Sequence, residues 1–107
     1  MHVNIRGDED TILRSIKLAM ESDRDRNPGA RIDLYRQNSF AIRIRAIDPG
    51  FAELDKPERH ERFRESLRTL PDEILGDISM IILLAPGEES HSLANLEFEE
   101  PSPSLVR

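Results

Sequence analysis

The sequence predicts an α+β domain: a three-stranded mixed sheet with helices packed on one face, in the order α-β-β-α-(α)-β. Three observations predict it. Arg31–Tyr35 and Phe40–Ile47 alternate apolar and polar residues, as half-buried strands do. Residues 55–70 open with a well-specified helix start and carry an apolar stripe. Ile78–Ala85 is apolar on both faces, and Pro86-Gly87 stops it.

Taken in order, residues 1–7 read as a flexible lead-in. A first helix is expected from about Asp8, where Asp8, Glu9 and Asp10 suit the positive end of the helix dipole. Ile12, Leu13, Ile16, Ala19 and Met20 recur at helical spacing and form a core stripe. Asn27-Pro28-Gly29 ends that helix and turns the chain. Ile32 and Leu34 then point inward. Arg36-Gln37-Asn38-Ser39 is a polar connection suited to a hairpin. In the next strand Phe40, Ile42, Ile44 and Ala46 are expected inward, with Arg43 and Arg45 outward. Asp48-Pro49-Gly50 breaks it.

The second helix has a readable beginning. Asp55 is a good N-cap, and Glu58 stands three residues on, as a capping box requires. Pro57 lies in the first turn, where its missing N–H costs nothing. His60, Phe63, Leu67 and Leu70 share one face. Most of the charges fall on the other faces and solvate the helix. Asp72–Leu75 adds a turn, with Gly76 as its C-cap. A helical crossover lays the strand at 78–85 parallel to the one at 40–47. With Ile78, Met80, Ile82 and Leu84 counted inward, Ile81 and Leu83 emerge on the open face beside Arg43 and Arg45.

The domain is thus expected over residues 8–87, with Ile16, Met20, Ile32, Ile42, Ile44, Phe63, Leu67, Met80 and Ile82 in its core. Residues 88–107 read as an acidic, mostly disordered tail. Leu93, Leu96 and Phe98 alternate there with Glu97, Glu99 and Glu100, a pattern suited to transient cover of the open sheet face.

Composition narrows the function. The chain has 107 residues, enough for one domain with a modest core. It has no cysteine, so it can form no disulfide, offer no thiol nucleophile and hold no cluster on its own thiolates. No apolar run is long enough for a membrane span, and a cytoplasmic setting is expected. Net charge is −6, concentrated in the last twenty residues, which argues against non-specific nucleic-acid binding. No G-x-S-x-G and no H-x-x-x-H spacing exists, so the chain reads as no enzyme.

The element order, Phe51, the Arg59-His60 pair at the start of the long helix, and Ala85-Pro86-Gly87-Glu88 after the last strand together resemble the BolA-like family. The resemblance spans about residues 10–88. The chain departs from the family pattern at Glu53, where members commonly carry Gly. It departs again at Asn38–Ala41, which hold no His or Cys. The resemblance implies a fold similar to the type II KH domain. It also implies a non-enzymatic adaptor that pairs with a monothiol glutaredoxin and shares a [2Fe–2S] cluster with it, in iron–sulfur handling or redox and stress response. The chain alone is expected to bind no cofactor. By position, His60 is the candidate cluster ligand, and Phe51, Arg59 and His60 form the partner surface.

Two other readings stand beside it. Arg43, Arg45 and Arg62 are candidates for phosphate contact in a DNA-binding transcription regulator of the same fold. No two of Gly7, Gly29, Gly50, Gly76 and Gly87 stand at the G-x-x-G spacing of a KH-type clamp. The other reading is a protein-interaction module that keeps the fold without cluster binding. The chain is expected to be a monomer or weak homodimer.

Overall fold

A computed structural model of the chain describes residues 2–23 and 28–101; the turn expected at Asn27 and the tail residues from 102 onward lie outside them. The elements are β1 (His2–Ile5), α1 (Thr11–Glu21), β2 (Arg31–Asn38), β3 (Ala41–Ile47), α2 (Lys56–Leu67), α3 (Asp72–Asp77), β4 (Ile78–Leu84) and α4 (Leu93–Glu99), with single 3-10 turns at Pro49–Phe51 and Glu89–His91. The sheet is mixed and runs β1-β2-β3-β4. β1 is parallel to β2, β2 antiparallel to β3, and β3 parallel to β4.

The α+β class and the parallel crossover to β4 are as expected, but the sheet has four strands, not three. The lead-in is ordered: His2–Ile5 pairs with Arg31–Leu34. The His2 and Arg6 amides donate to the carbonyls of Ala30 and Leu34, at 3.0 and 2.9 Å, and Val3 enters the core. A four-residue strand carries too short an alternation to be read locally. Its partner lies across a helix and supplies the order.

α1 starts at Thr11 rather than Asp8, because Asp10 is the residue that caps it, accepting from the Leu13 amide at 2.8 Å. The capping box of α2 forms as expected, with Glu58 N–H to Asp55 at 2.9 Å and Asp55 N–H to Glu58 at 3.1 Å. Phe40 is not inward. It sits in the two-residue hairpin turn, 81% exposed, where its amide donates to the Asn38 side chain at 2.8 Å.

One face of the sheet packs on α1 and α2. Leu13, Ile16 and Met20 of α1 and Phe63 and Leu67 of α2 meet Ile32, Leu34, Ile42, Ile44 and Leu83. The other face is not open. α4 lies there, and Phe98 packs with Ile47, Ile82 and Leu84, flanked by Tyr35 and Met80. Helices therefore occupy both faces, and the segment read as a disordered tail contributes a helix capped by Ser92. Fully burying a phenylalanine is worth roughly 1.5–3 kcal/mol, and the ion pairs described below add to it.

β4 also presents the opposite parity from the one expected. Ile81 and Leu83 face α1 and α2, while Met80, Ile82 and Leu84 face α4. The cause is a bulge. Ile78 pairs with Ile42 but Met80 pairs with Arg43, leaving Ser79 as the extra residue. Beyond it every side chain changes side relative to Ile78.

Candidate contact site at the outer edge of β4

Phe51 and Arg59 are built into the fold. Asp48 accepts from the Gly50 amide at 2.8 Å and caps the 3-10 turn that sinks Phe51 completely into the core. Arg59, 9% exposed, lies against that ring, its guanidinium carbon 5.9 Å from the centroid. Its Nε donates to the Leu54 carbonyl at 2.9 Å and its Nη1 to the Leu83 carbonyl at 3.1 Å. Both Nη groups donate to Glu88, at 2.6 and 3.0 Å. Glu88 also accepts from the Ala85 amide at 2.9 Å. The Arg59 hydrogen bonds, then that amide, hold the Glu88 carboxyl down at about 2.

His60 points elsewhere. It is half-buried on α2 and lines a cavity of about 130 Å³ with Lys56, Ile81, Ile82, Ser92 and Ala94. Ile81 belongs to the α2 layer of the sheet and Ile82 to the α4 layer, so the floor of this cavity is the edge of β4 itself. A second cavity of about 440 Å³ shares Lys56, Leu83, Leu84 and Ser92 and adds His91 and Leu93. His91 was missed by sequence reasoning, because a residue in a tail read as disordered has no assigned neighbours. Of the three residues expected at a partner surface, His60 and Arg59 both line this open space, whereas Phe51 stands behind it as support.

The three arginines of the nucleic-acid reading are not brought together. Arg43 and Arg45 are 7% and 5% exposed under α4. Arg43 donates to Glu97, through its carboxylate at 3.2 Å and its carbonyl at 3.3 Å. Arg45 donates to Asp33 and Asn95, both at 2.8 Å, and to Glu99. Its guanidinium stacks over Phe98 at 4.8 Å, and Tyr35 donates its hydroxyl to the Phe98 carbonyl at 2.9 Å. Glu99 also pairs with Arg6 at 2.8 Å, and its carboxyl is held at about 2 by the hydrogen bonds from Arg6 and Arg45. Arg62 is exposed on α2, across the sheet from this network, beside Glu58, Glu61 and Glu65.

A cavity of about 490 Å³ lies between the β1–α1 connection and the end of α4. Four of its charges are paired with one another, Arg6 with Glu99 and Arg36 with Asp10 at 2.7 Å. Among the described residues no group of three or more His, Cys, Asp or Glu is placed to hold a metal ion. No described helix is long and apolar enough to cross a membrane. A [2Fe–2S] cluster needs four protein ligands, and this surface offers at most the imidazoles of His60 and His91, on adjoining cavities; it fits a shared cluster only as a nitrogen donor to a partner that brings the rest. Compared with protein-family models, curated proteins and solved structures, the chain matches none.

Proposed function

We propose that this protein is a non-enzymatic adaptor of the cytoplasm that engages a protein partner along α2 and the outer edge of β4, with His60 at the centre of the contact. The observation that carries the reading is the cavity at His60, floored by both faces of one strand edge and walled by α2 and the start of α4. A strand edge between two helices is a surface that peptides and protein strands use. The groove is small and holds no paired acid and base, so it suits contact rather than turnover.

The resemblance to BolA-like proteins supplies the partner class: a monothiol glutaredoxin whose [2Fe–2S] cluster would take His60 as one ligand. Neutral imidazole is a suitable iron donor when thiolates come from the other side. Supporting this orientation, Arg59 is pinned to Glu88 and sets the helix turn from which His60 projects. The regulator reading has no comparable support, since Arg43 and Arg45 are buried under α4 and donate to Glu97, Asn95 and Glu99 there.

The experiment is to mix the protein with a cluster-loaded monothiol glutaredoxin and record visible absorption and circular dichroism. The adaptor reading expects a changed cluster spectrum that His60→Ala abolishes. A spectrum that does not change on mixing overturns the partner assignment. A change that survives His60→Ala overturns the ligand role.

A further inference from the structure

β2 outlasts its neighbour. It runs over Arg31–Asn38, and β1 pairs only with Arg31–Leu34. The chain follows the edge one residue further, the Arg6 amide donating to the Leu34 carbonyl at 2.9 Å, and then leaves it. Gly7 makes the departure: its φ of +75° is left-handed backbone that side chains other than glycine adopt only under strain. The edge of β2 from Tyr35 to Asn38 is left without a neighbour on that side. Strand alternation turns the N–H and C=O of Arg36 the same way as those of Leu34, into this gap. Among the described residues no backbone hydrogen bond reaches either group. The cavity of about 490 Å³ opens over this edge, with Tyr35, Arg36 and Asn38 in its lining. Of the five charged side chains that line it, Arg6 pairs with Glu99 and Arg36 with Asp10. Asp8 is exposed and has no ion pair among the described residues. The cavity is therefore left with one uncommitted negative charge and one unpaired stretch of strand.

We propose that this gap takes the amino-terminal end of an extended peptide, which continues the line of β1 beside β2. Position forces a chain end. Arg6 holds the edge at Leu34, so an occupant of the gap must start or stop there. Asp8 follows Gly7 directly and stands at that same end. A chain that stopped there would set its carboxylate against Asp8; one that starts there sets its ammonium against it. The occupant thus runs parallel to β2, as β1 does. In that register the Arg36 N–H donates to the carbonyl of the peptide's first residue, and the Arg36 carbonyl accepts from the amide of its third. Main-chain pairing of this kind supplies affinity, and side-chain pockets add preference. At the far end the side-chain oxygen of Asn38 is held by the Phe40 amide at 2.8 Å, which leaves its NH2 group to donate to the peptide.

The inference does not rest on the adaptor reading: it lies at the other edge of the sheet and needs no glutaredoxin. Its test titrates the full chain with a tripeptide amide of small apolar residues and a free amino terminus, followed by amide resonances. Saturable shifts are expected at Gly7 and Arg36, with slower exchange of the Arg36 amide. Acetylating the peptide's amino terminus should weaken binding about three- to fivefold. Asp8→Asn should weaken the free peptide by the same factor and leave the acetylated one unchanged. Replacing the third residue's amide by an ester removes the N–H that Arg36 accepts and should cost about fivefold. Asp8 is exposed in a connection, so the substitution spares the fold, and far-ultraviolet circular dichroism checks this. His60→Ala should bind the peptide as the unaltered chain does, which separates failure here from failure of the adaptor reading. The free end could belong to a small peptide or to a protein. A tripeptide with a free carboxylate that binds more tightly than a longer peptide of the same first three residues identifies the former, and the reverse order the latter. Absence of saturable binding overturns the inference. So do shifts that avoid Arg36, indifference to acetylation, or an ester that binds as tightly as the amide.

Discussion

Arg59 holds Glu88 in a two-pronged ion pair, at 2.6 and 3.0 Å, and so ties the second turn of α2 to the loop that leaves β4. The same guanidinium bonds the Leu54 and Leu83 carbonyls, so one side chain joins the chain before α2, the edge strand and the segment leading to α4. Arg59→Ala takes the donor from the Leu54 and Leu83 carbonyls and leaves the part-exposed Glu88 carboxylate without its cation. Its expected cost is about 2–4 kcal/mol, read as a lower urea midpoint with an unchanged slope.

The acid stability of the fold should follow Glu88 and Glu99. Each carboxyl is drawn from its ordinary 4.5 to about 2 in the folded chain, Glu88 by Arg59 and Glu99 by Arg6 and Arg45. Because the ionised form is the bonded one, this stabilisation is complete above about 4.5 and disappears as pH falls from there toward 2. Both side chains are about two-fifths exposed, so solvent screening leaves about 1 kcal/mol from each. Glu88→Gln should lower stability by about that amount at neutral pH and flatten the loss between about pH 5 and pH 3. Urea midpoints across that range check it; a variant with the wild-type pH profile contradicts it.

Arg45 distinguishes the cost of a broken network from the worth of an intact one. It is 5% exposed, it serves Asp33, Asn95 and Glu99, and its Nε finds no partner among the described residues. Arg45→Ala leaves two carboxylates facing an empty space and should cost about 3–5 kcal/mol. Arg45→Met fills the space over Phe98 and should cost distinctly less. Thermal unfolding of the pair measures the difference. Equal losses would mean that packing over Phe98 contributes nothing.

What could be read locally was read well. The capping box of Asp55 and Glu58 needs only four residues and no tertiary partner, and it stands as expected. The hairpin alternation placed Ile32, Leu34, Ile42 and Ile44 in the core. The parity of β4 was not legible, because one extra residue at Ser79 inverts everything after it and nothing local announces a bulge. α4 was hidden by its own charge. Glu97 and Glu99 look like the solvated face of a tail until folding brings Arg6, Arg43 and Arg45 beneath them. Phe51 and Arg59 are both buried, Phe51 in the core and Arg59 against its ring with only its edge toward the groove. Arg59 and His60 line the open groove, and Phe51 does not.

β1 should prove necessary despite its length. Val3 is 4% exposed and packs in the main core beside α1. Val3→Asp would bury a carboxylate without a partner, and the expected loss is about 3 kcal/mol or more. Asn4→Asp, on the opposite face and exposed, sits beside Asp33 and should cost less than about 1 kcal/mol. Chemical denaturation of the two variants checks the ranking. Equal and small effects would mean that the first strand is dispensable.

The final prediction concerns α4 as a fixed layer. Phe98 is 1% exposed, its ring lies 4.8 Å from that of Tyr35, and two guanidiniums cover its faces. Removing it takes away the apolar anchor of the helix and loosens the seat of Glu97 and Glu99 on Arg43 and Arg45. Phe98→Ala should cost about 3–4 kcal/mol. It should also speed amide exchange across Leu93–Glu99 while leaving Ile32, Ile42 and Ile44 protected, because those residues belong to the other core. Leu93→Ala, at a residue 86% exposed, is the control and should change stability by no more than about 0.5 kcal/mol. Global loss of protection in Phe98→Ala would show that the two faces of the sheet unfold as one unit. An unchanged exchange pattern would mean that α4 does not depend on its anchor.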